Sequence, residues 1–570
     1  MKSPAISSIN VKGTTALDQL ARWACGLRLE QVPERVRQQA INQILSTLAA
    51  VYSGWDSDVG SLLEKALPPP GSGPARIVPT GVAAPASHAA LLMASWSMVL
   101  DFDDVMLGGH TGHSSVLVPL AIGSGAGCSG EQLLLAQIVA NEVAARINMV
   151  CGIGSTRGQM AAHLHLLAAA AARAKLEQLD EANFAGALSF ALSYPSRALF
   201  PAFLGSDAKV LCASLPVRVG MEAVDMVRAG LIAAAEPLNG PDGFFAMASR
   251  VPVREFLDGL GERWHTETNS FKIYPVCGYL CSVLDATLDL VRAHDISAAD
   301  VSAVDVWASL FTVRMDAHSK PYLDGPRSRI STLTFSTPFV VASAILAREF
   351  SPDQLRRSWI EDRRVWELAE RVRTHHDVQL TIRAITADIP IGAGLRRASR
   401  WQAAGFAWSA AAAAYGRLGR WRSPAALRLV AASIAAAGDR RPLDFQRSTK
   451  PLGARLEIRL RDGRRFQKSV SIPRGFAGAP LAEANGQNVR DLMREKFLAA
   501  AGNVIGSGPA TEVARMIEGL ETLPPGCLPR LLQLACLPPK PDKSLKSAES
   551  DILLSLAALP VSSPNDREQA

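Results

Sequence analysis

Through most of the first 300 positions apolar residues recur at three- and four-residue spacing, the period of helices buried along one face. LDQLARWACGL and VPERVRQQAINQILSTLAAVYSG both follow it, and in the second Pro33 before Glu34 suits a first helical turn while Gly54 suits its end. SHAALLMASWSMVLDF reads as a buried helix that runs into a group of aspartates. SGEQLLLAQIVANEVAARINMV opens on Ser129 with Glu131 behind it, an N-cap and an acidic first turn. The alanine-rich LHLLAAAAARAKLEQLD lets helices approach closely, and a further helical stretch covers roughly 216 to 236.

From about residue 300 the period shortens. VSAVDVWAS alternates, VQLTIRAI and ARLEIRLRDGRRFQKSVSI read as strands, and Asp462-Gly463 between two alternating runs predicts a hairpin. Residues 386–450, rich in Ala, Arg and Trp, interrupt this pattern. An inserted helical element packed on its own domain is the favoured reading, ahead of an oligomer contact or a lipid-facing amphipathic hairpin. Beyond 538 the chain turns Pro-, Ser- and Lys-rich, which predicts a disordered tail with DILLSLAALP as a short helix.

Composition narrows the functional classes. A chain of 570 residues exceeds one ordinary core, and 48% hydrophobic with 20% charged residues is globular. The net charge of +7 is dispersed and no aromatic-and-basic binding motif accompanies it, which favours anionic small molecules over nucleic acid. Eight scattered cysteines include no C-x-x-C, and Cys277 and Cys281 are one residue too far apart for it, so iron–sulfur and structural zinc sites are unsupported. The N-terminus has no continuous apolar run, and the apolar stretches are broken by Arg, Lys or His. A cytoplasmic protein with free thiols and no membrane span is expected.

The chemistry concentrates in LDFDDVMLGGHTGHSS, Leu100 to Ser115. Asp101, Asp103 and Asp104 end an apolar helix, and His110 and His113 follow in a glycine-containing loop. Charges at the end of a buried element have to be paired, hydrated or functional. A carboxylate beside an imidazole can orient and charge a general acid/base. Metal ligation is the rival, although this spacing is no known zinc pattern, and helix-capping aspartates with exposed histidines are the plain structural alternative.

LDFDD, a short loop, then HxSxxVxP (His113, Ser115, Pro119) resembles the signature of the MmgE/PrpD family, which includes 2-methylcitrate dehydratases and cis-aconitate decarboxylases. LARWACGLRLEQVPERVRQQAINQILSTLAAVYSG resembles the family's opening helices, and LHLLAAAAARAKLEQLD its Ala-rich helix. FKIYPVCGY, LTFSTPFVVASAIL and RLEIRLRDGRRFQKSV are similar to later family elements in the same order. The resemblance spans about residues 15 to 360 and 450 to 500. It implies a mainly α fold: a large all-helical domain over 12–265, a smaller α/β lid domain over 266–488 carrying the 386–450 insertion, and C-terminal helices over 489–537 returning to the first domain. The active site would lie between the domains, with domain motion gating access.

The same resemblance implies a cofactor-independent lyase, without metal, acting as a homodimer on a small carboxylate-bearing metabolite. It places Asp101, His113, Lys209 and Lys272 in catalysis, with His113 as proton carrier and Asp101 orienting it. The lysines would neutralise substrate carboxylates and enolate-like charge. Asp104, Ser115, Gln159, His163 and Phe339 are candidate substrate contacts. Gln159 stands where a second histidine is expected, with His163 one helical turn later as its substitute. Phe339 replaces a tyrosine, Val105 a threonine and Cys281 a histidine. These departures remove donors and imply a less acidic substrate, so a repurposed isomerase, epimerase or cyclase of secondary metabolism ranks close behind, and a non-catalytic binding protein last.

Overall fold

Helix α1 (Ala16–Gly26) begins with a capping box, in which Asp18 N donates to Thr15 Oγ1 at 3.1 Å and Thr15 N to the Asp18 carboxylate at 2.9 Å. The structure, a computed structural model, describes residues 14–154, 162–195, 197–387, 390–439, 444–479 and 488–538. Helix α2 (Glu34–Trp55) packs against α3 (Ala86–Val99), and the two cross so closely that a Cβ on Gly54 would collide with the Trp96 carbonyl oxygen. That contact fixes the end of α3, and with it the start of LDFDD.

Helix α4 (Gly130–Val150) is capped by Ser129, whose box partner is Gln132. By length and composition α4 could cross a membrane, but nearly all of its apolar stretch is buried against neighbouring helices. Helices α5 (Ala162–Leu176), α6 (Glu181–Leu192) and α7 (Leu211–Arg228) complete the large helical core. Ala168 to Ala172 are all buried, and Gly220 of α7 sits where a Cβ would press on the Leu166 carbonyl and lie 2.9 Å from Ala169 Cβ. The helix expected over 216–236 therefore starts earlier and stops sooner: Pro216 falls inside α7, and Gly230 at φ 85° lies beyond its end.

The smaller region packs α8 (Cys281–Ala293), α9 (Leu310–Ser319) and α10 (Thr337–Ala347) around a four-stranded sheet. Strand β1 (Val301–Ala308) pairs in parallel with β2 (Val372–His376) and antiparallel with β3 (Ala454–Leu460), which forms a hairpin with β4 (Arg465–Val470). The order is β2-β1-β3-β4. In β3 Ala454, Leu456, Ile458 and Leu460 are buried in alternation, and Gly463 adopts φ 89° in the expected Asp-Gly turn. VQLTIRAI is a helix and not a strand: α11 (Val378–Thr386) starts where the Asp377 side chain accepts from Gln379 N and Leu380 N. Its β-branched composition suggests a strand, but its buried residues Thr381, Ala384 and Ile385 follow the helical period.

The insertion is helical. Helices α12 (Arg400–Arg422) and α13 (Pro424–Ala436) form a hairpin whose inner face, through Ala403 and Leu429, packs with Ile153, Leu310 and Ile385. It thus touches the large helical region as well as its own. Helix α14 (Val489–Ile505) returns to α2, with Phe497 edge-on to Tyr52 at 5.9 Å. The tail beyond 538, including DILLSLAALP, lies outside the described residues.

Candidate active site

Directly after α3 the chain turns through Asp101 at φ 55°, a left-handed conformation that aspartate tolerates better than most side chains. The following Asp104–Val105 forms a short antiparallel pair with Ser270–Phe271, in register Asp104 to Phe271. This pairing delivers the next residue, Lys272, to the aspartates. Its Nζ donates to Asp101 Oδ2 at 3.0 Å, Asp103 Oδ1 at 2.6 Å and the Asp101 carbonyl at 3.0 Å. An ammonium has three protons, and Lys272 uses all of them inside the protein. Lys209, from the turn Asp207–Val210, pairs with Asp101 Oδ1 at 2.8 Å beneath the rings of Phe203 and Phe335.

Burial alone would raise both carboxyls. Lys209 and Lys272 instead bring Asp101 down to about 2, and Lys272, His110 and His113 hold Asp103 well below the usual range. Lys272 is correspondingly held protonated by the two carboxylates against the opposing effect of burial. Two carboxylates and two ammoniums make a unit with no net charge.

Asp103 also organises the histidines. His110 Nδ1 lies 2.6 Å from Asp103 Oδ2, which leaves the other ring nitrogen for the cavity that His110 borders. His113 Nε2 lies 3.2 Å from the same oxygen but out of line for a hydrogen bond, while its Nδ1 meets Ser97 Oγ at 2.8 Å. His113 is buried and does not reach the cavity wall.

The loop itself is held from below. Gln43 of α2 donates to Asp104 Oδ2 at 2.8 Å and Thr111 Oγ1 at 3.0 Å, and Thr111 donates to Asn141 of α4 at 2.7 Å. Burial pushes the Asp104 carboxyl up. At Gly112 a Cβ would fall on Asp104 Oδ1 and 2.5 Å from Thr47 Oγ1, so only glycine fits. Ser115 donates to the Thr111 carbonyl at 3.0 Å. His163 bonds Asn148 at 2.8 Å, and Asn148 donates to the Gly108 carbonyl at 2.6 Å. Burial, reinforced by Arg197, brings His163 down to about 3, a neutral ring at the back of the loop. Phe339 is buried in the smaller core against Trp366, 5.7 Å between ring centres. Asp104, Ser115 and His163 therefore hold the loop without bordering the cavity, Phe339 packs in the smaller core and does not border it either, and Gln159 lies outside the described residues.

The cavity holds about 470 Å³, a volume suited to a metabolite. Asp101, His110, Lys272 and Cys277 line one side, and burial raises the Cys277 thiol to about 12, so it stays protonated. Lys450, at the end of the insertion, also lines it and donates to the Val105 carbonyl; burial lowers its amine to about 7. Arg314 and His318 of α9 face the same space. A second cavity of about 310 Å³ beside Cys25 holds Lys175, whose ammonium is taken by the carbonyls of Ala24, Cys25 and Leu27. That arrangement closes a helix end and offers no acid/base pair. Among the described residues no group of three His, Cys, Asp or Glu side chains is placed to hold a metal ion.

Family models for the MmgE/PrpD N-terminal domain and the MmgE/PrpD C-terminal domain match residues 18–256 and 274–391. The chain belongs to the MmgE/PrpD family. Members of this family are generally lyases of the dehydratase type. No curated protein matches this chain. The MmgE/PrpD match contains Asp101, Asp103, His110, Lys209 and Arg314; Lys272 lies between its two parts, and it ends before α12, α13 and Lys450.

Arg314, Lys450 and Lys496 escaped the sequence reading, which named His110 but took His113 as the proton carrier. His110 was within the segment singled out, but the loop's geometry decides which histidine meets the cavity. Arg314 carries a readable signal: Leu310, Phe311, Arg314, Met315 and His318 share one helix face. Lys496 of α14 has none, since its partners Ser46 Oγ (2.9 Å), Phe102 O (2.6 Å) and Lys272 O (2.9 Å) come from distant segments. Burial lowers Lys496 to about 7.

Proposed function

We propose that this chain is a cofactor-independent lyase that removes a proton beside a carboxylate, with His110 as the proton carrier and Asp103 as the group that orients it. The observation that carries this reading is the 2.6 Å contact between Asp103 and His110 at the cavity wall, with Asp103 also anchored by Lys272. His113 serves as an inner support between Ser97 and Asp103. In a dehydration His110 takes the C–H proton, its electron pair forms the new double bond, and the leaving hydroxyl departs as water with a proton from Lys450. The lowered amine of Lys450 holds both protonation forms near neutral pH.

The test is proton NMR in deuterium oxide on a panel from 2-methylcitrate and cis-aconitate to 3-hydroxy and 2-enoic monocarboxylic acids. Exchange or elimination is expected with at least one of them, slowed about 10²- to 10⁴-fold by His110→Gln. No exchange anywhere in the panel, or full activity in His110→Gln, overturns the reading. Isomerisation, epimerisation or cyclisation is the second reading, favoured by the apolar lining, and it would transfer the proton without loss of mass. We also propose a cytoplasmic homodimer: Leu211, Leu215, Val219 and Met226 form an exposed apolar stripe along α7 that a second copy would cover. Leu215→Glu should shift light scattering from dimer to monomer; an unchanged mass, or a monomeric wild type, rejects this.

A further inference from the structure

Three lysines about the site are already engaged, and a fourth, Lys450 on the cavity wall, gives a proton to the Val105 carbonyl and is lowered by burial to about 7, so it is not a fixed cation. Lys272 gives its three protons to Asp101 and Asp103, Lys209 pairs with Asp101, and Lys496 gives its three to Ser46 and two carbonyls. A substrate with several carboxylates would enter a cavity that already exposes Asp101 and meet an electroneutral cluster. Each unpaired carboxylate would then lose its hydration without compensation.

Arg314 differs. Its Nε donates to His318 Nε2 at 3.1 Å, and among the described residues no carboxylate pairs with it. His318 is stacked on Phe200 at 5.2 Å, so the guanidinium is steadied while its terminal nitrogens keep their donors. A planar fork of this kind takes one carboxylate through two parallel bonds.

The rest of the lining is mainly apolar, and part of it comes from chain beyond the family match. Phe406 and Ala407 of α12, with Ala410 one turn on, share a single face, joined by Leu429 and Ser433 of α13. Ser433 Oγ donates to the Leu429 carbonyl at 2.9 Å, so its proton is used within its own helix.

We propose that the cavity takes a substrate with a single carboxylate on a mainly apolar body, the carboxylate on Arg314 and the body against α12 and α13. The proposal rests on reading this cavity as the active site, and it names the substrate class of the lyase.

Calorimetric titration of the full chain with butyrate, octanoate and propane-1,2,3-tricarboxylate tests it. Octanoate should bind at least tenfold tighter than butyrate and at least tenfold tighter than the tricarboxylate. Arg314→Gln should weaken octanoate at least tenfold and leave 1-octanol unchanged; Phe406→Ser should weaken both and spare butyrate. Absence of octanoate binding, no dependence on chain length, or tighter binding of the tricarboxylate overturns the proposal. If Phe406→Ser does not fold, the wild-type series still decides. Octanoate has no leaving group, so its binding is independent of turnover. Octanoate binding without deuterium exchange on any acid sinks the lyase and keeps the substrate class. His110-dependent elimination from a tricarboxylate without octanoate binding does the reverse.

Discussion

One part of the cavity wall is built by residues 101–110 and 272–278, where buried charges are answered within hydrogen-bond distance; another, from α9, α12 and α13, is apolar except for Arg314, His318 and Ser433. The first is expensive to alter, because removing one partner leaves a buried charge uncompensated. The second relies on non-directional contact, which tolerates exchange of similar residues. A family can therefore keep one reaction step on the charged side while the apolar side adapts to new substrates.

The sharpest way to break this comparison is Lys272→Met. It leaves Asp101 and Asp103 short of their shared cation and should cost about 3–5 kcal/mol, read from the urea midpoint. A cost no larger than that of a surface change would erase the distinction. Gly112→Ala should cost about 1–3 kcal/mol in the same measurement, since its Cβ has nowhere to go between Asp104 and Thr47.

The lysines give a pH signature. Lys450 and Lys496 lose their protons near pH 7 in the folded chain but near 10.4 when unfolded. Above pH 7 the unfolded state binds more protons, so stability rises with pH, by up to about 1.4 kcal/mol per pH unit for each lysine. The window runs to about 8.5, where the raised thiols begin to act in the opposite sense. Lys496→Met should flatten the rise in urea midpoint between pH 7 and 8.5; an unchanged slope contradicts a neutral Lys496. The smallest effect is expected on the outside of the apolar side. Trp401 is 89% exposed, and Trp401→Ser should change stability by no more than about 0.5 kcal/mol.

Local rules account for what was legible in the sequence. Ser129 caps α4 because its hydroxyl meets Gln132 N three residues on, and Asp462-Gly463 turns because glycine accepts φ 89°. Order and composition of short motifs placed the chain in its family and drew attention to Leu100–Ser115. The misreading of α11 arose where propensity and burial period disagree, and burial won. What stayed hidden was long-range. Which of His110 and His113 faces the cavity depends on Asp103, Gln43 and Asn141 acting together on one loop. That Lys209 and Lys272 are paired with aspartates is a matter of three-dimensional distance that no spacing encodes.

The reach of Lys496 has a consequence for how the molecule is made. Its ammonium closes on the Phe102 carbonyl across 394 residues of sequence. At ordinary rates of synthesis those residues take roughly 20–80 s to emerge from the ribosome. For that interval the aspartate loop exists without its last support, so nascent chains halted before α14 should carry a proton-transfer segment that is present in full yet unassembled.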